Sequence, residues 1–291
     1  MIKLKTASYF SFLFSLMLTI TSYSQSSGAY QIYTAKGKKV KTDKMIQSLE
    51  GYDYVFFGEY HDNPISHWLQ YEVTLSLHAK YGEKLVLAFE MFERDQQDLM
   101  NAYLKGEVDS KFFEDSCRLW PNYKTDYKPL IDFAKDTSLK VVASNVPRRF
   151  ANLLYKRGRQ AVDSLSAQDK EWMADPYFEV DTTLSQYAQL IGMGQHMGGG
   201  DIMLAQAFKD ATMAKFTMMD KSKGDVVIHF NGAYHSDYHQ GIMWYIQQKE
   251  PEAEIITIST VSQKDITRLE KDNFNKADFI ICVDEDMTST H

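Results

Sequence analysis

The sequence predicts an α/β protein with a mostly parallel sheet that is flanked by helices and carries an inserted helical lobe. Two observations predict this class. Short runs rich in Val, Ile and Phe alternate along the chain with longer stretches of helical period, as in proteins built from β–α units. The hydrophobic fraction is 44% of 291 residues, which is ample for the core of one large domain. We therefore expect a single α/β domain over residues 25–291.

Six apolar runs are predicted to be strands, because each is short, rich in β-branched and aromatic residues, and bounded by polar residues or glycine. They span residues 54–57, 85–89, 140–144, 226–230, 254–258 and 279–283. Helices are predicted between them at residues 66–81, 95–104, 127–136, 147–156, 201–219 and 238–248. A polar leader is expected up to about Thr42. Residues 158–200 break the alternation with polar helical segments and a glycine-rich loop, so we expect the helical lobe there.

The first 24 residues resemble a secretory signal peptide. Lys3 and Lys5 precede an apolar stretch at residues 9–20, and small and polar residues follow it up to Ser24. This order predicts export and cleavage after Ser24. The first cysteine is Cys117, so we expect a periplasmic protein without a lipid-anchor cysteine.

The charge of the chain argues against one class of partner. The net charge is −7, from 32 basic and 39 acidic residues. Removal of residues 1–24 takes away two lysines and no acid, which leaves 30 against 39, or −9. An acidic chain is a poor nucleic-acid binder. The two cysteines, Cys117 and Cys282, lie far apart in sequence and match no metal or redox spacing.

Polar residues follow four of the predicted strands at the points where the strands end. The first strand runs into Gly58-Glu59-Tyr60-His61, the second into Glu90, the third into Asn145 and the fourth into Asn231-Gly232-Ala233-Tyr234-His235. In a parallel sheet the carboxyl ends of the strands lie on one edge, and ligands bind outside that edge. The sequence therefore predicts that these side chains converge.

Two Gly-x-x-His motifs stand at equivalent strand ends and predict a metal site. We expect each glycine to let the backbone turn sharply, so that His61 and His235 project over the sheet. Two imidazoles with Glu59 or Glu90 suit a divalent transition metal, and either carboxylate could instead serve as a general base. A lone histidine after a strand is more often a hydrogen-bonded turn residue, but a pair favours function.

Other polar residues have simpler interpretations. His229, inside the fourth strand, is expected to be a hydrogen-bonded core histidine, while His67 and His78 are expected on a helix as packing or surface residues. Asp62-Asn63-Pro64 with Ser66 is expected to cap the helix that follows it. Arg148 and Arg149 are either part of a solvated helix face or, beside the proposed site, partners for ligand carboxylates.

A set of motifs in fixed order resembles the ChaN-like haem-binding uptake family, within the wider group that includes the Tiki metalloproteases and the erythromycin esterases. The likeness covers most of the chain after the leader. The motifs are Phe57 to Asn63, Phe89 to Phe92 with Gln96 and Gln97, Trp120 with Tyr127, Ala143 to Arg148, the His196-Met197-Gly198 loop, Lys209 to Ala214, and Gly232 to His235.

The resemblance implies haem binding for iron acquisition in the cell envelope, by a dimer that exchanges haem with transport components. Tyr60, Tyr234 and His196 are then the expected axial ligands, with Met197 beside them and Arg148 or Arg149 facing the propionates. The alternative is a metal-dependent peptidase or esterase built on His61, His235, Glu59 and Glu90. A third hypothesis keeps the fold as a partner-binding module without either activity.

Overall fold

The computed structural model describes residues 28–194 and 200–291 and contains one eight-stranded sheet within those ranges. The strands are β1 Tyr30–Thr34, β2 Lys39–Val40, β3 Tyr54–Glu59, β4 Leu85–Glu93, β5 Lys140–Asn145, β6 Val226–Gly232, β7 Ile255–Gln263 and β8 Phe279–Asp284. They lie in the order β2-β1-β8-β7-β3-β6-β4-β5. Neighbours from β8 to β5 are parallel, while β1 is antiparallel to both β2 and β8. The predicted α/β class with a mostly parallel sheet is confirmed.

All six predicted strands form, and most continue past their predicted ends. β4 continues to Glu93 and β7 to Gln263. The expected polar leader is wrong over residues 30–40, because β1 and β2 form there and a helix follows them. β1 has only Ile32 and Tyr33 fully buried, and its pairing with β8 comes from a distant part of the chain. Its own apolar pattern is therefore too short to predict it.

Helices cover both faces of the sheet. They are α1 Thr42–Ser48, α2 Pro64–Tyr81, α3 Gln97–Leu104, α4 Ser110–Ser116, α5 Lys128–Asp136, α6 Arg148–Arg157, α7 Gln160–Asp163, α8 Ala167–Glu171, α9 Ser185–Gly194, α10 Ile202–Met219 and α11 Ile242–Lys249. The predicted cap is present, since the Asn63 side chain accepts a hydrogen bond from the Ser66 amide at 2.9 Å. α11 begins later than predicted because Tyr238 and His239 have φ of 62° and 58°, outside the helical region.

Two apolar clusters lie on opposite sides of the sheet. The larger packs α2, α3 and α5 on one face, around Val55, Leu87 and Phe230. The other packs α10 and α11 on the opposite face, around Phe56 and Val227. Alternate residues of each strand thus face different helices, which explains why the strands read as continuous apolar runs.

The predicted lobe region contains the short helices α7, α8 and α9 in its described part. Val162 and Met173 from this region join Phe150 and Leu154 of α6 and Phe208 of α10 in an apolar cluster of their own. The segment therefore packs on the two helices that border the carboxyl edge of β5 and β6.

The side chain of Gln97 covers part of the exposed edge of β5. Its amide nitrogen donates to the Val141 carbonyl at 2.8 Å, and its amide oxygen accepts from the Ala143 amide at 2.7 Å. One side chain thus replaces the two hydrogen bonds that a further strand would make.

No helix within residues 28–194 and 200–291 is long and apolar enough to cross a membrane.

Cys117 and Cys282 are both buried and form no disulfide, and burial raises the pKa of each thiol to about 12.

Candidate functional site

The strand order brings residues from distant parts of the sequence to one edge. β6 lies between β3 and β4, with Glu59 of β3 in register with Gly232 of β6. The carboxyl ends of these strands border a cleft of about 830 Å³, a size typical of small-molecule sites. Glu59, Glu90, His61 and His235 all line it. The predicted convergence of polar strand ends is confirmed.

His61 is oriented by the carboxylate that ends β3. Its Nδ1 lies 2.9 Å from Glu59 Oε1, and because a carboxylate only accepts, the proton is assigned to Nδ1. The imidazole is 39% exposed and meets the Trp120 ring edge-on at a centroid distance of 4.7 Å. Burial lowers the pKa of His61, but the hydrogen bond to Glu59 and the charges of Glu90 and Glu59 outweigh it, so the pKa is raised.

Glu59 is buried and fully occupied by protein donors. The Tyr127 hydroxyl donates to Oε1 at 2.6 Å, and the Gln70 amide donates to Oε2. With His61, three donors converge on this one carboxylate. Such saturation suits a group that orients a histidine rather than one that reacts or binds a ligand itself.

His235 lies between two buried carboxylates. Its Nδ1 is hydrogen-bonded to Asp210 of α10, and its Nε2 lies 3.1 Å from Glu90 Oε1. Asp210 also accepts the Tyr187 hydroxyl at 2.7 Å. The other oxygen of Glu90 accepts the Gly232 amide at 2.8 Å. The arrangement repeats that of His61, since each histidine has a carboxylate on Nδ1.

The two carboxylates keep His235 charged. Burial lowers the pKa of His235, but the charges of Glu90 and Asp210 and their hydrogen bonds outweigh it and raise the pKa to about 10. Burial raises the pKa of Glu90, yet His235, His61 and Lys209 hold it well below its ordinary value. At neutral pH His235 is therefore an imidazolium beside the ionised Glu90.

The two motif glycines are required by close packing and not, as expected, by a special turn. Neither has a positive φ. A Cβ on Gly232 would lie 2.7 Å from His61 Nε2, and a Cβ on Gly58 would lie 2.9 Å from the Ala233 Cα. The motif glycines thus let one histidine-bearing segment lie directly against the other.

The walls of the cleft combine apolar groups with cations. Its apolar lining is Met91, Leu119, Trp120, Pro121, Val146, Leu190, Ile202 and Ala233. Arg148 and Lys209 also line it, and neither forms a salt bridge within 4 Å among residues 28–194 and 200–291, although the Lys209 charge acts on Glu90. Arg118 lines it too, but is paired with Glu93 at 2.8 Å and with Asp95. The cleft thus combines an apolar lining with two cations that form no salt bridge within the described residues.

The predicted tyrosine ligands have different surroundings. Tyr60 is 39% exposed and lines the cleft, and burial of its hydroxyl raises its pKa, with the Ser262 backbone opposing. Tyr234 also lines the cleft, but its hydroxyl donates to the Gln186 carbonyl and burial raises its pKa to about 12. Both phenols are therefore harder to ionise than a free tyrosine.

The remaining predicted residues are separated from the cleft or lie outside the described residues. Arg149 pairs with Asp95 and Asp169 and stacks on Trp172 at 5.6 Å, and it does not line the cleft. His196 and Met197 fall within residues 195–199, outside the described residues, and both stay predictions. Within the described ranges no cluster of three His, Cys, Asp or Glu residues has metal-binding geometry.

His229 is the expected core histidine. It is fully buried, with Nε2 at 3.0 Å from Ser144 Oγ and Nδ1 at 3.0 Å from Asn231 Oδ1. Burial lowers its pKa to about 4. His67 is a packing residue, as expected, but it packs behind His61 and contacts its carbonyl at 3.1 Å.

Sequence reasoning missed the residues that support the site. They are Gln70 and Tyr127 behind Glu59, and Asp210 and Tyr187 behind His235. Asp210 and Tyr127 belong to motifs that carried the family resemblance, but nothing in their local sequence identified a partner. A buried carboxylate in the apolar helix α10 was the available signal.

An open, mostly parallel sheet with a cleft at its carboxyl edge is the architecture in which α/β proteins commonly bind small ligands. The chain belongs to the family described as haem-binding uptake, Tiki superfamily, ChaN, whose model matches residues 45–246.

Comparison with solved structures supports the fold. A ChaN from Campylobacter jejuni, reported with cofacially bound haem, is 16% identical with a TM-score of 0.64, covering 87% of this chain and 96% of that chain. A Bacillus cereus protein is 10% identical with a TM-score of 0.51, covering 86% and 93%. At these identities the likeness concerns the fold alone.

A plant protein is similar in sequence. RETICULATA-RELATED 5 of Arabidopsis thaliana, a chloroplastic protein, is 22% identical over 285 residues, which are 90% of this chain. The chain spans 38% of the length of that relative.

Proposed function

We propose that this protein binds haem in the cleft at the carboxyl edge of the sheet and serves haem or iron uptake as an exported, periplasmic protein. The observation that carries the proposal is that His61 lines the cleft with its imidazole 39% exposed, beside apolar side chains and the cations Arg148 and Lys209. The family supports the choice of ligand. Export, the dimer and the envelope transport partners are proposed from the leader and the family.

His61 is the donor that the geometry favours for the iron. Ferric haem, when bound, accepts an imidazole or a phenolate. Glu59 fixes the His61 ring through Nδ1, and Nε2 has no hydrogen-bond partner within the described residues, which is the common arrangement of a metal-bound histidine. Tyr234 is less suited because its hydroxyl already donates to a carbonyl. Tyr60 and His196 remain the alternatives.

The walls of the cleft suit the porphyrin ring and the two carboxylates of haem. A porphyrin is flat and apolar with two carboxylates, and the cleft offers the Trp120 side with Leu119 and Pro121 for the ring. Arg148 and Lys209 line the cleft and form no salt bridge within the described residues, so we expect them to receive the carboxylates. Lys209 was not predicted from the sequence and joins Arg148 in this role.

A hemin titration of residues 25–291 tests the proposal. We expect a saturable Soret shift with defined stoichiometry in the wild type. His61→Ala should abolish or change the spectrum, while Tyr234→Phe should leave it as in the wild type. Loss of the shift in Tyr60→Phe or His196→Ala alone would instead assign the iron ligand to that residue. No saturable shift in the wild type would exclude haem binding.

A metal-dependent hydrolase is the second candidate, because the row Asp210-His235-Glu90 is more elaborate than a haem cleft requires. His61 Nε2, His235 Nε2 and Glu90 are the groups that would hold the ion, with Glu59 and Asp210 orienting the two histidines. They would have to move closer together to do so, because no three such groups among the described residues have metal-binding geometry. A bound ion supplies a more acidic water for attack. Since Nε2 of His235 is protonated against Glu90, metal binding must release that proton.

Zinc, manganese and cobalt titrations test this candidate. Calorimetry in buffers of different ionisation enthalpy should show about one proton released per ion, and His235→Ala should abolish it. Peptidase or esterase activity should then require the ion. Absence of both proton release and metal-dependent hydrolysis would reject the hydrolase.

A further inference from the structure

The turn that carries His61 is held from outside by two side chains. The His61 carbonyl accepts a hydrogen bond from Asn122 Nδ2 at 2.6 Å and lies 3.1 Å from His67 Nε2. Asn122 and His67 are 2% and 6% exposed. The backbone of His61 is therefore fixed independently of its ring, which Glu59 holds.

Asp126 organises these two side chains. Its Oδ2 accepts from Asn122 Nδ2 at 2.6 Å and lies 3.4 Å from His67 Nε2. Asp126 is itself 4% exposed. Burial of a carboxylate is costly unless hydrogen-bond donors surround it, so each donor to Asp126 contributes to its stability.

The chain after β8 supplies the next contacts. Residues 285–291 run back to the His61 turn, beginning with the Glu285 amide, which donates to the Gln263 carbonyl at 3.3 Å. The Thr290 hydroxyl donates to Asp126 Oδ2 at 2.6 Å, and the Thr290 amide donates to the Asp62 carbonyl at 2.9 Å. Thr290 is partly buried between the exposed Ser289 and His291. Thr290 thus contacts both the turn that carries His61 and the buried Asp126 carboxylate.

We propose that residues 285–291 form a strap that positions His61, with Thr290 as the positioning residue. Thr290 acts through Asp126 and the Asp62 carbonyl and does not reach the cleft itself. The strap lies beyond residues 45–246, where the family model matches, so the family match does not require it. Its effect on ligand binding rests on the proposed function, whereas its effect on the turn does not.

Thr290→Val tests the strap, because valine keeps the shape and the backbone amide but cannot donate to Asp126. Removal of residues 288–291 takes away both contacts. We expect the Asn63 amide, which donates to the Tyr60 carbonyl at 3.1 Å, to exchange about fivefold faster in Thr290→Val and faster still in the deletion. The Trp120 indole NMR signal should shift, since its ring contacts His61. The Kd for hemin should rise about fivefold.

Two variants control the experiment. Thr290→Ser retains the hydroxyl and should behave as the wild type. Ser289→Ala loses a hydroxyl whose one hydrogen bond within the described residues goes to the His291 carbonyl of the same segment, and it should change nothing. Wild-type exchange at Asn63 and an unmoved Trp120 signal in Thr290→Val and in the deletion would overturn the strap. If the wild type binds no hemin, the proposed function fails, while the exchange and Trp120 measurements still decide the strap.

Discussion

Nδ1 of His61 lies 2.9 Å from Oε1 of Glu59, two residues earlier in the chain. Because Glu59 is the last residue of β3 and is held by Tyr127 and Gln70, the sheet itself fixes the orientation of this imidazole. Nε2 is then the ring nitrogen available in the cleft.

Replacement of Tyr127 by Phe should destabilise the protein. The change removes the 2.6 Å hydrogen bond to buried Glu59 and leaves a carboxylate oxygen with one donor fewer, which costs about 1–3 kcal/mol. Urea unfolding followed by circular dichroism measures the free energy of unfolding.

Tyr123→Phe is the matched control. Tyr123 is equally buried, but its hydroxyl has no hydrogen-bond partner within the described residues. Loss of that hydroxyl should leave the free energy of unfolding unchanged or raise it slightly. Equal destabilisation by the two variants would contradict the special role of Tyr127.

Gly232→Ala should displace His61 while the fold persists. The new Cβ would lie 2.7 Å from His61 Nε2, closer than van der Waals contact allows, so the imidazole must move. Hemin affinity should fall at least tenfold, and the Trp120 NMR signal should shift. Gly28→Ala, whose Cβ would meet only the Tyr30 carbonyl at 3.5 Å, should change neither. An unshifted Trp120 signal in Gly232→Ala would refute this close packing.

Arg148→Ala and Arg149→Ala should separate binding from stability. Arg148 lines the cleft without an acidic partner in the described ranges, so its loss should weaken hemin binding by about 5- to 30-fold, or 1–2 kcal/mol. Arg149 is engaged by Asp95 and Asp169, so its loss should leave the affinity unchanged. Hemin titrations of both variants at one ionic strength make the comparison. The reverse pattern would assign the carboxylates to Arg149.

Acidification should destabilise the protein through His229. Burial lowers its pKa to about 4, against about 6.5 in the unfolded chain. Between these values the unfolded state binds the extra proton, so the free energy of unfolding should fall as the pH drops from 6.5 to 4, by about 3 kcal/mol in total. His229→Asn should flatten this part of the pH profile in urea unfolding experiments. An unchanged slope would show that other groups produce it.

Much of the fold could be predicted because the central strands carry their own signal. β3, β4 and β6 are buried on both faces and therefore read as apolar runs. β1 could not be predicted, since its structure comes from pairing with β8 near the other end of the chain. The late start of α11 depends on the positive φ of Tyr238 and His239, which are residues that give no such signal.

The candidate site could be predicted where residues end strands, and not where they come from helices. Glu59, Glu90 and His235 follow or end apolar runs, so topology alone brings them together. Asp210 reaches His235, and Tyr127 reaches Glu59, through tertiary packing of α10 and of the segment before α5. The sequence does not show which of Glu59 and Glu90 orients a histidine through Nδ1 and which lies against the Nε2 of a histidine. The two carboxylates differ in the hydrogen-bond donors around them, and those donors come from tertiary packing.

The place of β6 in the sheet has a consequence for how the protein is made. β3 and β4 both pair with β6, which follows them by more than a hundred residues of chain. Before β6 has been synthesised, β3 and β4 each have an unpaired edge where β6 will later lie. Unpaired edges of apolar strands can pair with the wrong strand or with another chain. Folding should therefore be slow and dependent on the whole chain, and a nascent protein would gain from being kept unfolded by chaperones until β6 is available.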